Sequence, residues 1–190
     1  MANLMKLRHF VGDMTRIADA SLAEADMLAS ATPLLGDLLK SDDWLPDQFA
    51  QANPDRYQQY LLYCDPLERF SLVSFVWDVG QCTPIHDHTV WGLIGVLRGS
   101  EVSNRYEIDN GNLQCTSEQE ILEAGQIDAV SPNIGDIHKV WNGRRTGPSV
   151  SIHLYGGNIG QITRHAFGGQ ASEAKSFTSG YSLPVIPNIF

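Results

Sequence analysis

Basic side chains, cysteines and long apolar runs are all scarce in this chain of 190 residues, and each scarcity excludes something. Lys and Arg number 13 against 22 Asp and Glu, a formal net charge of −9. Non-specific binding to nucleic acid or to an anionic membrane surface needs a basic face, so neither partner is expected. No apolar run approaches the ~20 residues that span a bilayer. The opening stretch to Ala20 mixes charges at short intervals and has no apolar core of a signal peptide. Cysteine occurs at Cys64, Cys82 and Cys115 only, odd in number, far apart and without a CxxC pair. No disulfide framework follows; free or buried thiols in a reducing cytoplasm are expected, with no role assigned to Cys82.

What is present is ordinary in bulk and specific in detail. Hydrophobic residues make up 43% and charged residues 18%, as in a soluble globular protein. The length suits one core, so a single domain over 1–190 is expected, with helices in 1–66, a barrel in 67–165 and a tail in 166–190. Leu7, Phe10, Val11, Met14, Ile17, Ala18 and Leu22 recur at helical spacing, predicting a helix from residue 4 to about 28. Thr32-Pro33 reads as a cap opening a second helix through Leu39, and Asn53-Pro54 as the same signature before a third over Asp55–Tyr63.

After Asp65-Pro66 the texture changes to short segments rich in β-branched and aromatic residues, divided by Gly, Pro and Asn-Gly turns. Strands are predicted over 69–79, 90–97, 101–108, 113–123, 126–131, 137–141 and 149–155, and a surface loop from Phe167 onward. Seven or more short strands without intervening helices suggest a double-sheet roll or small barrel.

Within this region lies PIHDHTVWG, residues 84–92. Side chains two apart on a strand share a face, so His86 and His88 converge while Asp87 points away. His138 lies about fifty residues on, on another predicted strand, and three neutral imidazoles from neighbouring strands could meet inside a barrel. In the segment Ser149–Tyr155, Val150, Ile152 and Leu154 alternate with Ser151, His153 and Tyr155, giving one apolar and one polar face. If the polar face is interior, its groups need partners or cost about 1–3 kcal/mol each, and a chain of Ser151, His153 and Tyr155 satisfies most of them.

This pattern resembles the cupin superfamily. Gly80, His86, His88 and Gly99 match its first motif, with Gly92 where a glutamate is usual; Gly125, Pro132, Gly135, His138 and Asn142 match its second. The resemblance implies a mainly β cupin barrel (a double-stranded β-helix or jelly roll) behind an N-terminal helical segment, with a metal on His86, His88 and His138. Together with the Ser-x-His-x-Tyr strand it narrows to the thiol dioxygenases of the cysteine dioxygenase type I family, and most nearly to the bacterial 3-mercaptopropionate branch. Such enzymes use Fe(II) to add O2 to the sulfur of a small thiol carboxylate, giving the sulfinate. The resemblance thus implies Ser151, His153 and Tyr155 as catalytic groups, a small thiol carboxylate and O2 as partners, and a monomer or weak homo-oligomer.

Three departures from the mammalian type bear on the thiol. Gly92 stands where a cysteine cross-links to the tyrosine, so Tyr155 should be unmodified. Gly156-Gly157 replaces a Ser-Pro-Pro turn, and Gln59 replaces the carboxylate-binding arginine. The mercaptopropionate branch carries instead a glutamine there and an arginine nine residues after the tyrosine, which is Arg164. Arg164 and Gln59 are therefore the expected substrate-binding pair, with 3-mercaptopropionate preferred over L-cysteine. Two other classes fit parts of the pattern: a zinc hydrolase or hydratase on the three histidines, and a non-catalytic cupin that binds a small molecule.

Overall fold

Two amphipathic helices form one layer. In the computed structural model, which describes residues 2–168 and 173–183, α1 (Leu4–Asp19) buries Leu7, Phe10, Val11 and Met14, one stripe of its surface. α2 (Glu24–Leu39) buries Met27, Ala31, Leu35, Leu38 and Leu39. The single helix predicted to about residue 28 is thus broken. Ser21 adopts φ +49°, in the left-handed region, and ends the first helix before Glu24 begins the second. Thr32-Pro33 sits inside α2 rather than at its start, and the Thr32 hydroxyl donates one turn back to the Leu28 carbonyl. A single 3₁₀ turn, Asp47–Phe49, follows.

The rest is antiparallel sheet: β1 (Gln58–Cys64), β2 (Ser71–Trp77), β3 (Ile85–His86), β4 (Gly92–Arg98), β5 (Ser100–Asp109), β6 (Asn112–Cys115), β7 (Glu120–Glu123), β8 (Ile127–Val130), β9 (Ile137–Asn142), β10 (Ser149–Tyr155), β11 (Arg164–Phe167) and β12 (Lys175–Phe177). One sheet runs β1-β2-β10-β4-β8; the other runs β12-β11-β3-β9-β5-β6, with β7 also on β5. The fold is the expected mainly β architecture, two antiparallel sheets behind two helices. No helix among the described residues is long and apolar enough to cross a membrane.

The third predicted helix, over Asp55–Tyr63, is instead strand β1. The Asn53 side chain accepts the Asp55 N–H, closing a local turn, and the chain then pairs with β2 from Gln58↔Val76 onward. Its alternation is decisive: Tyr60 and Leu62 pack with the helices, whereas Leu61 joins the barrel-side cluster of Val73, Phe75, Trp77, Val140, Tyr155 and Ile159. The predicted strand over 113–123 is two, β6 and β7, each paired to a different part of β5. Nor is the tail only surface loop: β11 and β12 pair with each other, and β11 continues onto β3. The cysteines are free, as expected, and none is fully buried.

β4 and β8 carry α2 on their outer side. Leu35 is fully buried, and a Cβ on Gly95 of β4 would stand 3.3 Å from its Cδ2. Leu35→Ala should therefore cost about 2–5 kcal/mol, because two rigid layers cannot collapse onto the space left between them. Urea denaturation followed by tryptophan fluorescence measures this directly.

Candidate active site

Three imidazoles meet inside the barrel. His86 ends β3 and faces His138 of β9 across the ladder. His88 lies just beyond the two-residue strand, so strand alternation alone does not place it. The Asp136 carboxylate does: it accepts the backbone N–H of His88 (3.0 Å to each oxygen), the N–H of Thr89 (2.8 Å) and the His88 Nδ1–H (2.8 Å). Ring centroids of the three histidines stand 4.8–4.9 Å apart, and one nitrogen from each lies within 4.8 Å of the others.

These groups fit a metal ion. The outer hydrogen bonds fix tautomers: His86 donates its Nδ1–H to the Pro84 carbonyl at 3.1 Å and His88 to Asp136, leaving the Nε2 lone pairs free. Nε2 of His88 is buried with no hydrogen-bond partner, an orphan that a cation would satisfy. Burial, then the neighbouring His88, drives the His86 pKa down to about 3 and that of His138 well below the ordinary imidazole value. Metal ligation requires that neutral form. Burial raises the pKa of Asp136, but hydrogen bonds from His88 and the backbone N–H groups outweigh it, and the carboxyl sits below its ordinary range.

Beside the cluster, β10 is buried on both faces, between β2 and β4. Val150, Ile152 and Leu154 pack in the helix-side core; Ser151, His153 and Tyr155 point inward. The Ser151 Oγ lies 2.8 Å from His153 Nε2, and His153 Nδ1 2.8 Å from the Tyr155 hydroxyl. Phe75 stacks on the His153 ring at 4.1 Å, and the Tyr155 ring stacks on His88 at 5.4 Å. Burial holds the Tyr155 phenol well above its ordinary pKa and His153 well below, so both are neutral. Gly92, paired with Tyr155 across β4 and β10, is required small: a Cβ there would fall 2.8 Å from the tyrosine ring.

The cluster opens into a cavity of about 160 Å³, walled by aromatic rings, the histidines and Arg164. Arg164, 3% exposed, begins β11 and reaches inward; its Nη2 donates to Ser179 Oγ at 2.7 Å, and its Nε is buried without a partner. No carboxylate among the described residues pairs with it. Gln59 also lines the cavity, and its amide donates to Ser179 Oγ and to the Gly180 carbonyl, both at 2.8 Å. The tail is thus clasped to the cavity wall, with Phe177 part of that wall and the Arg164 guanidinium 4.8 Å above its ring.

All eight residues singled out in the sequence come together: seven line the cavity, and Ser151 lies one hydrogen bond behind His153. Others carried no such signal. Tyr57 and Phe177 contribute to the wall from segments read as helix and loop. Asp136, in the turn before His138, is legible only once the fold sets it beside His88. Asp87, central in His-Asp-His, points outward and grips His165 of β11 through its backbone N–H at 2.7 Å and Nδ1 at 2.8 Å, tying the Arg164 strand to the ligand strand. Asn142 of the second motif is architectural, donating to the carbonyls of Trp77 and Gly147.

The profile of the family described as cysteine dioxygenase type I matches residues 9–167. The chain is 29% identical to cysteine dioxygenase type 1 of Danio rerio over 117 residues, 60% of this chain and 56% of that protein. It is 25% identical to the human enzyme of the same name over 148 residues, 76% of this chain and 73% of that one. The chain therefore spans little more than half of the fish relative. Among solved structures, a protein from Thermus thermophilus aligns at a TM-score of 0.46 and 19% identity over 58% of this chain and 92% of its own. A cupin superfamily protein from Desulfitobacterium hafniense aligns at 0.43 and 13%, over 55% and 81%.

Asp136→Asn keeps the shape of the His88 support but removes its charge. Affinity for a first-row divalent cation should fall about 10–100-fold, read by Co²⁺ titration against a competing chelator.

Proposed function

The chain belongs to the cysteine dioxygenase type I family, and on that premise we propose that it converts a small thiol carboxylate to its sulfinate, with 3-mercaptopropionate preferred. Both atoms of O2 go to sulfur and the thiolate becomes RSO2⁻, so no further reductant is needed. Fe(II) held by His86, His88 and His138 would supply the redox chemistry. The chain's own residues do the rest. Three neutral ligands leave the full metal charge to be offset by the substrate, which favours a thiolate over a neutral donor.

The observation that carries the substrate class is Arg164. It is a buried guanidinium with an unpartnered Nε, within the same cavity as the histidines, and a carboxylate would complete its hydrogen bonds. Tyr155, aimed by His153 and Ser151, offers its phenol beside His88 to hydrogen-bond substrate or oxygen. The aromatic wall of Tyr57, Phe75, Trp77 and Phe177 excludes water from the reacting atoms.

Preference for 3-mercaptopropionate rests on what the wall offers an amine. No Asp or Glu among the described residues lines the cavity, so an α-ammonium would enter without an anionic partner. L-Cysteine is the second reading, favoured by the names of the relatives above. A hydrolytic zinc site makes no use of the polar chain on β10.

Protein loaded with Fe(II) under anaerobic conditions and then exposed to air should consume one O2 per thiol, faster with 3-mercaptopropionate than with L-cysteine at equal concentration. A full iron complement without thiol-dependent O2 uptake would overturn the reading; faster cysteine turnover would overturn the preference. Arg164→Ala should raise KM about 10–100-fold for thiols bearing a carboxylate, as expected for losing one partner of a buried charged hydrogen bond. Cysteamine, which lacks the carboxylate, should be little affected, and comparison of the two KM values checks this.

A further inference from the structure

Behind Ser151, outside the substrate cavity, β5 carries a carboxyl that the proposed reaction does not use. Glu101 is 2% exposed, and neither of its oxygens reaches a hydrogen-bond partner at bonding distance. No cation among the described residues pairs with it. The polar groups that bear on it are the Ser151 hydroxyl and the Trp77 indole. Trp77 already donates its N–H to Ser151 Oγ, at 3.4 Å. The titratable groups beside it on neighbouring strands are Asp128 of β8, ion-paired with Arg105, and His138 of β9, and Tyr155 of β10 feels its charge; β4 and β7 present Ile94 and Leu122. A carboxylate without a cation at such a place is disfavoured by desolvation, and burial pushes the Glu101 pKa up to about 7.

The chain from Ser151 through His153 to Tyr155 has two possible directions, because a neutral imidazole carries one proton and either nitrogen can hold it. With the proton on Nε2, His153 donates to Ser151, and Tyr155 must spend its own proton on Nδ1. The phenol then offers the cavity only a lone pair. With the proton on Nδ1, Ser151 donates to Nε2, His153 donates to the Tyr155 oxygen, and the phenol O–H is free to donate into the cavity. Nothing within the three residues selects between these arrangements. Whatever stands at the Ser151 end does.

We propose that Glu101 is a positioning residue that sets this direction: as a carboxylic acid it donates to Ser151 Oγ, so Ser151 donates to His153, His153 to Tyr155, and Tyr155 to the ligand in the cavity. Loss of the Glu101 proton to solvent turns Ser151 round to donate to the carboxylate, moves the imidazole proton to Nε2 and withdraws the phenol proton from the cavity. The chain holds four protons in the first state and three in the second, so one proton released accounts for the reversal. The effect on turnover rests on the thiol oxidation proposed above; the direction of the chain does not.

The test reads the tautomer first. In the full-length chain with ¹⁵N-labelled histidine, free of metal, long-range ¹H–¹⁵N spectra distinguish Nδ1–H from Nε2–H, with the His153 signals identified by their loss in H153Q. At pH 6 His153 should carry its proton on Nδ1, moving to Nε2 as the pH rises through about 7. In E101Q, whose amide does not titrate and can donate to Ser151 at every pH, the Nδ1–H form should persist throughout. An Nε2–H tautomer at pH 6, or the same pH-driven shift in E101Q, overturns the proposal. Turnover supplies the second arm. Wild-type kcat/KM should fall about tenfold per pH unit above the Glu101 pKa, a fall absent in E101Q; E101L should lose activity already at pH 6 and E101Q should restore it. If no thiol is oxidised at all, the functional reading fails while the tautomer experiment still decides the role of Glu101.

Discussion

Three imidazoles are buried within 4.8 Å of one another, and much of the surrounding structure follows from the cost of placing charge among them. A protonated member would lack its hydration shell and repel its neighbours, which is why burial and the neighbouring rings drive His86 and His138 far from ordinary titration. A neutral imidazole has one N–H and one lone pair, and the protein uses the N–H outward. Pro84 and Asp136 take those of His86 and His88. The lone pairs are thereby turned to a common point. What is costly as bare packing becomes a preorganised cation site.

The same economy governs β10. A strand hydrogen-bonded on both edges and covered on both faces cannot leave polar groups to water, so Ser151, His153 and Tyr155 must satisfy one another. Their 2.8 Å contacts do so while the alternate residues Val150, Ile152 and Leu154 anchor the strand to the helix layer. The phenol is accordingly positioned by the hydrophobic core behind it. Gly92 completes the arrangement, since a Cβ 2.8 Å from the ring would displace Tyr155 from its place over His88.

Much of this was legible in the sequence, and the failures have common causes. The alternation on β10 showed because both its faces are strongly typed, one apolar and one polar. His86 and His138 stand on strands where a period of two is enough; His88 does not, and its inward orientation depends on Asp136, which no local pattern connects to it. β1 was missed because Asn53-Pro54 is a helix-start signal locally and a turn in fact, and because QQYLLYC buries both faces and so lacks a clean alternation. Glu101 gave no signal at all. One glutamate on a half-polar strand looks solvated until the fold sets it behind Ser151.

In the proposed reaction, substrate selection would turn on the asymmetry of charge around the cavity. Its described wall holds one guanidinium and no carboxylate, and the guanidinium is not free to swing. Asp87 ties β11 to the ligand strand, Ser179 holds Nη2, and Gln59 grips that same serine from the opposite side. A flexible lysine at this place could follow a ligand of any length. A clamped arginine would instead fix where a bound carboxylate sits relative to the three histidines, and thereby the length of thiol carboxylate accepted. In the proposed reaction, the selectivity would therefore rest as much on the Gln59–Ser179–Arg164 clasp as on the charge itself.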